Sequence, residues 1–493
     1  MSTFHGLEMA KQALFAQQSA LYTTGHNISN ANTEGYTRQR VNFETMPAYP
    51  SASRNRPEMP GQFGTGVDIA AVDRLRDKFL DMQYRTENSK AGFWEAKAAA
   101  LDRLERLMNE PSESGLSQSM KQFWQSLQDL STNPDNSGAK SVVAQRGQAL
   151  ADAFNYTADS LESIRDDLKA EINHHADKVN SLVRSINRIN EQIKQIEPHG
   201  YIPNDLYDDR DRMIDELSEI VNIRVDHVKS GDSSPDHADG LVTITLADEH
   251  GKPIDGATLV DAEGHIQEID VDFSTAHGAY EVVTGVRVGE DTFEMSQGSL
   301  KGNIEAYGYL QDGQVTGIYT NMLNDLDQMT TAFTEAFNRV YLGEDEGANR
   351  VPFFEIGDAN RPAATVRVHA TIIDAPETII ASQDGYGDLA SRLADVFDEE
   401  LADLDDTSTH KFFESLIGRL GVDAQEANTM KNNTDVLRSQ VDEQRMSVSS
   451  VSLDEEMTNM IKFQHAYSAA ARSMTAIDEM IDRLINNMGL VGR

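Results

Sequence analysis

The sequence predicts a mainly α chain with β-rich insertions, nested so that its N- and C-terminal ends form one region. Three observations predict it. The stretch Ser447–Met488 lacks Pro and Gly and carries apolar residues at alternating spacings of three and four, the signature of one helical seam. At the opposite end, residues 4–28 carry a second apolar repeat. Between them, long helical patterns surround two segments of short β-branched runs. The paired ends read as coiled-coil-like, the middle layer as a helical bundle, and the outer parts as β-containing.

In the first helix Phe4 and Leu7 are followed at heptad spacing by Leu14, Leu21 and Ile28, with Ala10, Ala13, Ala16 and Ala20 between them. Gly25, Asn27, Asn30, Asn32 and Gly35 tolerate left-handed backbone angles, so they end this helix and open an extended segment over 36–43. Residues 46–66, with Pro47, Pro50, Pro57, Pro60, Gly61, Gly64 and Gly66, read as an irregular linker or a set of hairpins. A strand over 66–72 leads back to helix.

From Asp73 to Ile220 nearly everything is helical. Leu116, Met120, Phe123, Leu127 and Leu130 form one seam, closed by turn residues 133–138. A long helix over 139–196 carries Ile172, His175, Val179, Leu182, Ile186, Ile189, Ile193 and Ile196 in three/four alternation. Pro198, Gly200 and Pro203 end it, and a helix over 204–220 follows. Residues 223–295 hold the β-branched runs LVTITL, IQEIDVDF and YEVVTGVRV between turn signals. Helix resumes after Gly302, with Tyr319, Met322, Leu326, Met329, Phe333, Phe337 and Val340 on one face. A second insertion over 343–406 mixes β-like VRVHATII with helical DLASRLADVF, and from Phe412 the chain is helical again.

These boundaries divide the chain into four parts. Residues 1–45 with 447–493 are a terminal helical region; 46–222 with 298–342 and 412–446 are a long-helix middle. Residues 223–297 are a β-rich insertion, and 343–411 a mixed α/β one. In the C-terminal helix Leu453, Met457, Met460, Tyr467, Ala471, Met474, Ile481, Ile485 and Met488 make the seam, and Ile461, Phe463 and Ile477 broaden it. Ser452 and Glu455 can form a capping box at its start. A stripe this long needs a partner helix. The mixture of small and polar residues within both seams suits repeated contacts between copies.

At 493 residues the chain exceeds the size at which single cores stop growing, about 250–300 residues. Its net charge of −38, spread along the chain, argues against nucleic acid and against anionic membrane surfaces. There is no cysteine, which excludes disulfides and thiolate chemistry. No secretory signal of the cleaved kind opens the chain, and no run of about 18 apolar residues would span a membrane. On those tests alone a cytoplasmic location is expected.

Catalytic and metal signals are missing. There is no phosphate-binding glycine loop, zinc-protease helix or nucleophile elbow. His174 and His175 are adjacent, so on a helix they diverge and grip one metal poorly. Asp403, Asp405, Thr407 and Glu414 have calcium-loop spacing, but Ser408 stands where that loop needs Gly. Trp94, Trp124 and His465 read as packing residues. No enzyme activity, cofactor or metal is expected.

The ends resemble a known family. Ala31-Asn32-Thr33-Glu34-Gly35-Tyr36-Thr37-Arg38, preceded by Asn27 and Asn30, resembles the N-terminal signature of bacterial flagellar axial proteins, with Glu34 where many members carry Pro. Leu453-Asp454-Glu455-Glu456 and Phe463-Gln464-His465-Ala466-Tyr467 resemble the matching C-terminal signature. Rod, hook and hook-associated proteins share those ends. Phe4-His5-Gly6-Leu7, Thr24-Gly25-His26-Asn27-Ile28, Asn204-Asp205-Leu206 and Asp208-Asp209-Arg210-Asp211 are similar to the hook-associated protein one family, as is the long helical middle.

That resemblance implies a structural adaptor between hook and flagellin filament, a secreted part of the extracellular flagellum that is cytoplasmic only before type III export. It implies self-assembly through Phe4, Leu7, Leu14, Leu21, Ile28, Leu453, Met457, Met460, Ile461, Tyr467, Met474, Ile477, Ile481, Leu484 and Ile485. The implied partners are further copies, the hook protein, a second junction protein, the export apparatus and an export chaperone on the C-terminal helix, with no nucleic acid and no membrane insertion. The alternatives are a hook or rod subunit, an enzyme carried in the insertions, or a cytoplasmic coiled-coil scaffold.

Overall fold

A computed structural model describes residues 4–487 except 51–52, 55–57, 59, 109–114, 344–350, 384–385 and 405. Met488, Pro57 and Asp405 therefore lie outside the described residues. Helix α1 spans His5–Ser29 and ends where Asn30 closes the last turn, its N–H donating to His26 O at 3.0 Å. Strands β1 (Gln39–Thr45) and β2 (Val67–Arg74) pair antiparallel, so the Pro/Gly-rich stretch is the loop of one long hairpin, with a bridge between Tyr49 and Phe63 inside it.

The body begins with α2 (Lys78–Met108), α3 (Leu116–Thr132), α4 (Ser137–Ile196) and α5 (Asn204–Ile220). Helix α4 has 60 residues, about 90 Å at 1.5 Å per residue. The Asn136 side chain accepts from Gly138 N at 2.8 Å to start it, and Gly200, at φ 83°, follows the short turn that ends it. Its buried stripe in the second half is Ile172, Ala176, Val179, Val183, Ile186, Asn190 and Ile193. His175 and Leu182, expected on that seam, lie half-buried at its edge, because the stripe passes through Ala176 and Val183 instead. Helices α2 and α5 approach so closely that a Cβ on Gly92 would lie 2.2 Å from Glu219 O.

The first insertion forms β3 (Ile223–Val228), β4 (Leu241–Ala247) and β5 (Pro253–Val260) in one antiparallel sheet. A second sheet holds β6 (Ile269–Ser274), β7 (Val282–Val288) and β8 (Asp291–Phe293). After α6 (Ser299–Tyr307) it gains β9 (Tyr309–Gln311) and β10 (Gln314–Thr316), in a stretch expected to be helical. The reason is an Asp312–Gly313 turn with positive φ at both residues, the signal of a two-residue hairpin. Both sheets dock on α4 through asparagines. Asn180 donates to Ile269 O at 2.9 Å and accepts from Ile269 N at 2.7 Å; Asn190 donates to Val242 O at 2.9 Å and accepts from its N at 3.3 Å. Each amide completes a backbone that would otherwise be buried without partners.

After α7 (Ile318–Leu342), the second insertion comprises β11 (Phe354–Ile356), α8 (Pro362–Thr365), β12 (Val366–Val368), α9 (Ala370–Asp374) and α10 (Asp388–Asp395). It is clamped to the body by aromatic rings: Phe123 lies 5.5–5.9 Å from Phe337, Phe353, Phe354 and Phe397. Glu414, from the calcium-like spacing, faces His410 at 3.3 Å along its own helix. The chain closes with α11 (Thr409–Ser449) and α12 (Leu453–Asn487). Ser450 is extended (φ −74°, ψ 155°) and separates them, so the last helix begins at Leu453, just after the expected capping residue Ser452.

Most buried apolar residues of α2–α7, α11, both sheets and the second insertion form one hydrophobic core, with Ile189, Ile193, Tyr207 and Leu241 in a smaller cluster, and no described residue of α1 or α12 is among the buried residues of either. The insertions share the core of the body. The terminal pair stands apart from it.

Candidate assembly interface

Helices α1 and α12 pack on one another along their length. A Cβ on Gly6 would lie 3.2 Å from the Ile477 side chain, and Asn27 Nδ2 donates to Glu456 Oε2 at 3.0 Å, so the helices run antiparallel. Of the predicted interface residues, Leu7, Leu14, Leu21, Ile28, Met460, Met474, Ile477 and Ile481 are half-buried. Phe4, Leu453, Met457 (57% exposed), Ile461, Tyr467, Leu484 and Ile485 (70%) face outward. The expected single seam is therefore two faces, one turned to the partner helix and one left open. Phe15 (58% exposed), Tyr22 (72%) and Met480 belong to the open face and were not anticipated. Their spacing from the buried Ala16 and Ala20, which let the backbones approach, was the available signal.

The signature residues join this pair to the body. Asn27 is buried and fully bonded: Nδ2 also donates to Gln39 O at 2.8 Å, and Oδ1 accepts from Gln39 N at 3.0 Å and from the Tyr36 hydroxyl at 2.8 Å. Burial and the nearby Asp208 push the Tyr36 phenol well above its ordinary range. Asn30 donates to His26 O at 3.1 Å, while Ala31 and the exposed Asn32 form the following turn. Gly35 sits at φ 78°, where a Cβ would meet the Arg212 side chain at 3.2 Å. Arg38 grips Glu456 through Nε at 2.9 Å and Nη2 at 2.7 Å, and Glu455 through Nη1 at 2.6 Å. The expected capping box is half formed. Glu455 N lies 3.5 Å from Ser452 Oγ, while the Glu455 carboxylate goes to Arg38.

Behind the signature lies an ionic junction that the sequence reading missed. Asp208, Asp211 and Asp215 fall on one face of α5, and Arg74, Arg76, Arg85 and Arg445 converge on them from β2, the β2–α2 turn, α2 and α11. Arg74 Nη1 lies 2.7 Å from Asp208 and 3.0 Å from Asp211; Arg85 Nε lies 2.8 Å from Asp215. Arg445 Nη1 is 2.5 Å from Asp215, with its guanidinium 3.9 Å above the Tyr84 ring. Arg76 Nε meets Asp81 at 2.7 Å, and Thr37 N donates to Asp208 at 3.0 Å. Burial would raise the Asp211 carboxyl, but Arg76, Arg74, Arg85 and Arg210 overcome it and hold the group well below the carboxylate range. Asp208 goes the other way, pushed up by burial, which outweighs the opposing pull of Arg74 and the Thr37 hydrogen bonds. The three-and-four spacing of the aspartates on α5 was the legible sign.

Among the described residues, one group could hold a metal by proximity: Asp261, Glu263 and His265, with ligand atoms within 4.8 Å of one another on an exposed turn. No described helix is long and apolar enough to cross a membrane.

Comparisons with known proteins follow the same outline. Residues 101–348 match the family described as the flagellar hook-associated protein FlgK helical domain. Residues 7–37 match the flagella basal body rod protein family, and 443–488 the C-terminal family of flagellar basal body rod FlgEFG proteins. The chain is 43% identical to flagellar hook-associated protein 1 of Bacillus subtilis (strain 168), with all of both chains covered. It belongs to the flagellar hook-associated protein 1 family. The family member of Escherichia coli (strain K12) is 24% identical over 97% of this chain and 98% of its own. The structure of the flagellar hook junction protein FlgK from Burkholderia pseudomallei matches with a TM-score of 0.56 at 12% identity, covering 75% of this chain and 100% of that one. That likeness concerns the fold. The two matches to rod proteins cover most of α1 and α12, the pair outside the core, and reach a little beyond it, to residue 37 and back to residue 443 in α11.

Proposed function

We propose that the chain is a structural adaptor joining the flagellar hook to the flagellin filament, assembling with further copies of itself through the open face of its terminal helix pair. The observation that carries this is the apolar surface on α1 and α12, outside the core, in a chain alike along its whole length to hook-associated protein 1. Covering half of a large apolar side chain contributes roughly 1 kcal/mol. Phe4, Phe15, Tyr22, Met457, Ile461, Leu484 and Ile485 together are then comparable with the cost of fixing one subunit on another. Contacts with several neighbours in a ring tip the balance; one pairwise contact does not.

Charge supports the same reading. Residues 1–45 carry three basic and three acidic side chains, and 450–493 carry four and six, in a chain of net charge −38. Near-neutral ends pack beside copies of themselves, while the acidic body and insertions stand where water and salt screen them. On this reading residues 1–45 with 447–493 line the inner tube, 46–222 with 298–342 and 412–446 form the next layer, and 223–297 and 343–411 face outward. The finer partners are the hook protein on one side and a second junction protein on the other. An export chaperone covers α12 in the cytoplasm before passage through the export apparatus, since an exposed apolar helix otherwise aggregates. The working location is the extracellular flagellum. No enzymatic step is assigned.

Deleting the gene and inspecting cells by electron microscopy tests this. Complete hooks without filaments, with flagellin monomer in the medium, is the expected result. Normal filaments overturn it, and missing hooks move the chain to the hook or rod.

A further inference from the structure

We propose that Arg38 is the positioning residue that sets the register between the two ends of the chain, by gripping the start of α12 while its own backbone is fastened to the body. The packed face of α1 repeats by heptads at Leu7, Leu14, Leu21 and Ile28, and α12 answers at Met460, Met474 and Ile481. A seam with that repeat is degenerate: sliding one helix by seven residues re-presents nearly the same apolar face. Some other contact must choose the register, as a buried polar residue does in coiled coils.

Glu456 is that contact. Among residues 453–486 of α12 it is the one buried side chain, at 3% exposure, and its side-chain partners, Asn27 and Arg38, come from the N-terminal segment. Arg38 is itself immobilised. Its N–H donates to Ser449 O at 2.9 Å at the end of α11, and its carbonyl accepts from Leu75 N at 2.8 Å. A heptad slip would carry Glu456 about 10 Å along the axis, out of reach of Arg38 and Asn27, and losing those charge-assisted bonds disfavours the slipped register by about tenfold or more. The fork also reaches Glu455, so two consecutive side chains fix the rotation of α12 as well as its position. This inference goes beyond the hook–filament reading and does not depend on it.

The full chain has no cysteine, so introduced thiols report register without background. Gly6→Cys is paired with Ile477→Cys, the native neighbour, or with Ala470→Cys or Leu484→Cys, the neighbours after a heptad slip, and a short thiol crosslinker is applied. With Arg38 present, the 6–477 product should dominate. With Arg38→Ala, its yield relative to the slipped products should fall about tenfold or more, with the thermal transition of the body unchanged; Arg38→Lys, which keeps charge but loses the fork, should lie between. Glu456→Gln, which preserves an acceptor for Asn27, should shift the ratio in the same direction. A 6–477 product still dominant with Arg38→Ala overturns the proposal. So does equal loss of all three products, because Arg38 would then be needed for helix formation and not for register.

Discussion

Asp211→Asn is the sharpest test of the ionic junction, since it changes charge with almost no change of shape. Asp211 is 4% exposed and faces Arg74 at 3.0 Å, Arg85 at 3.3 Å and Arg76 at 3.5 Å. Arg74, Arg76, Arg85, Arg210 and Arg445 stand against Asp81, Asp208, Asp211, Asp215 and Asp239, so the junction is balanced in charge. The variant leaves it with one excess buried positive charge. Breaking a buried pair in this way costs about 3–5 kcal/mol. For a cooperative body of some hundreds of residues, that lowers the melting temperature by roughly 4–7 °C. Calorimetry of the full chain reads the shift, and a melting temperature within about 1 °C of the parent would refute the reasoning. The pH dependence has a definite sign. Because the folded Asp211 carboxyl lies below its ordinary value of 3.8, its stabilisation is fully present above that value and is lost as the pH falls through the lower folded one. The gap between parent and variant should hold at neutral pH and narrow below pH 3.8. Asp208, pushed up by burial, gives the opposite trend in the parent.

Two further substitutions probe what positions the site. Asn180→Ala removes both partners of the Ile269 backbone and should destabilise the body by about 1–3 kcal/mol, with hydrogen exchange at the Ile269 amide accelerated well beyond that of Val271; unchanged exchange there would contradict the docking role. Gly92→Ala places a methyl against Glu219 O, on backbone that cannot turn aside, and should cost about 2 kcal/mol or more despite the better helix propensity of Ala; a neutral or stabilising result would mean that α2 and α5 are less closely apposed.

Much of the fold was legible because its signals are local. Heptad spacing located α1, α4 and α12, and Pro and Gly clusters marked the hairpin loop and the end of α4. The ledger of faces was not legible. Periodicity identifies an apolar stripe but not which side of it meets a helix of the same chain, so Met460 and Met457 looked alike although one packs and the other is open. The start of α12 at Leu453 was legible from Ser452 as a cap, but the capture of Ser449 and Glu456 by Arg38 across the break at Ser450 was not. The junction of arginines and aspartates joins residues hundreds of positions apart, and only the Asp208–Asp211–Asp215 face of α5 hinted at it. The signature residues were found by resemblance; their roles, such as the four bonds of Asn27, needed the three-dimensional contacts.

The central claim is that the open face of the terminal pair is the surface through which copies assemble. Its most direct measurement is complementation of the deletion strain with Met457→Asp/Ile461→Asp, scored by electron microscopy of cell surfaces together with the melting temperature of the purified chain. Both side chains face outward, so the melting temperature should stay within about 1 °C of the parent. The account predicts bare hooks, with the folded variant and flagellin both released into the medium. Normal filaments from a variant carrying two carboxylates on that face would contradict it.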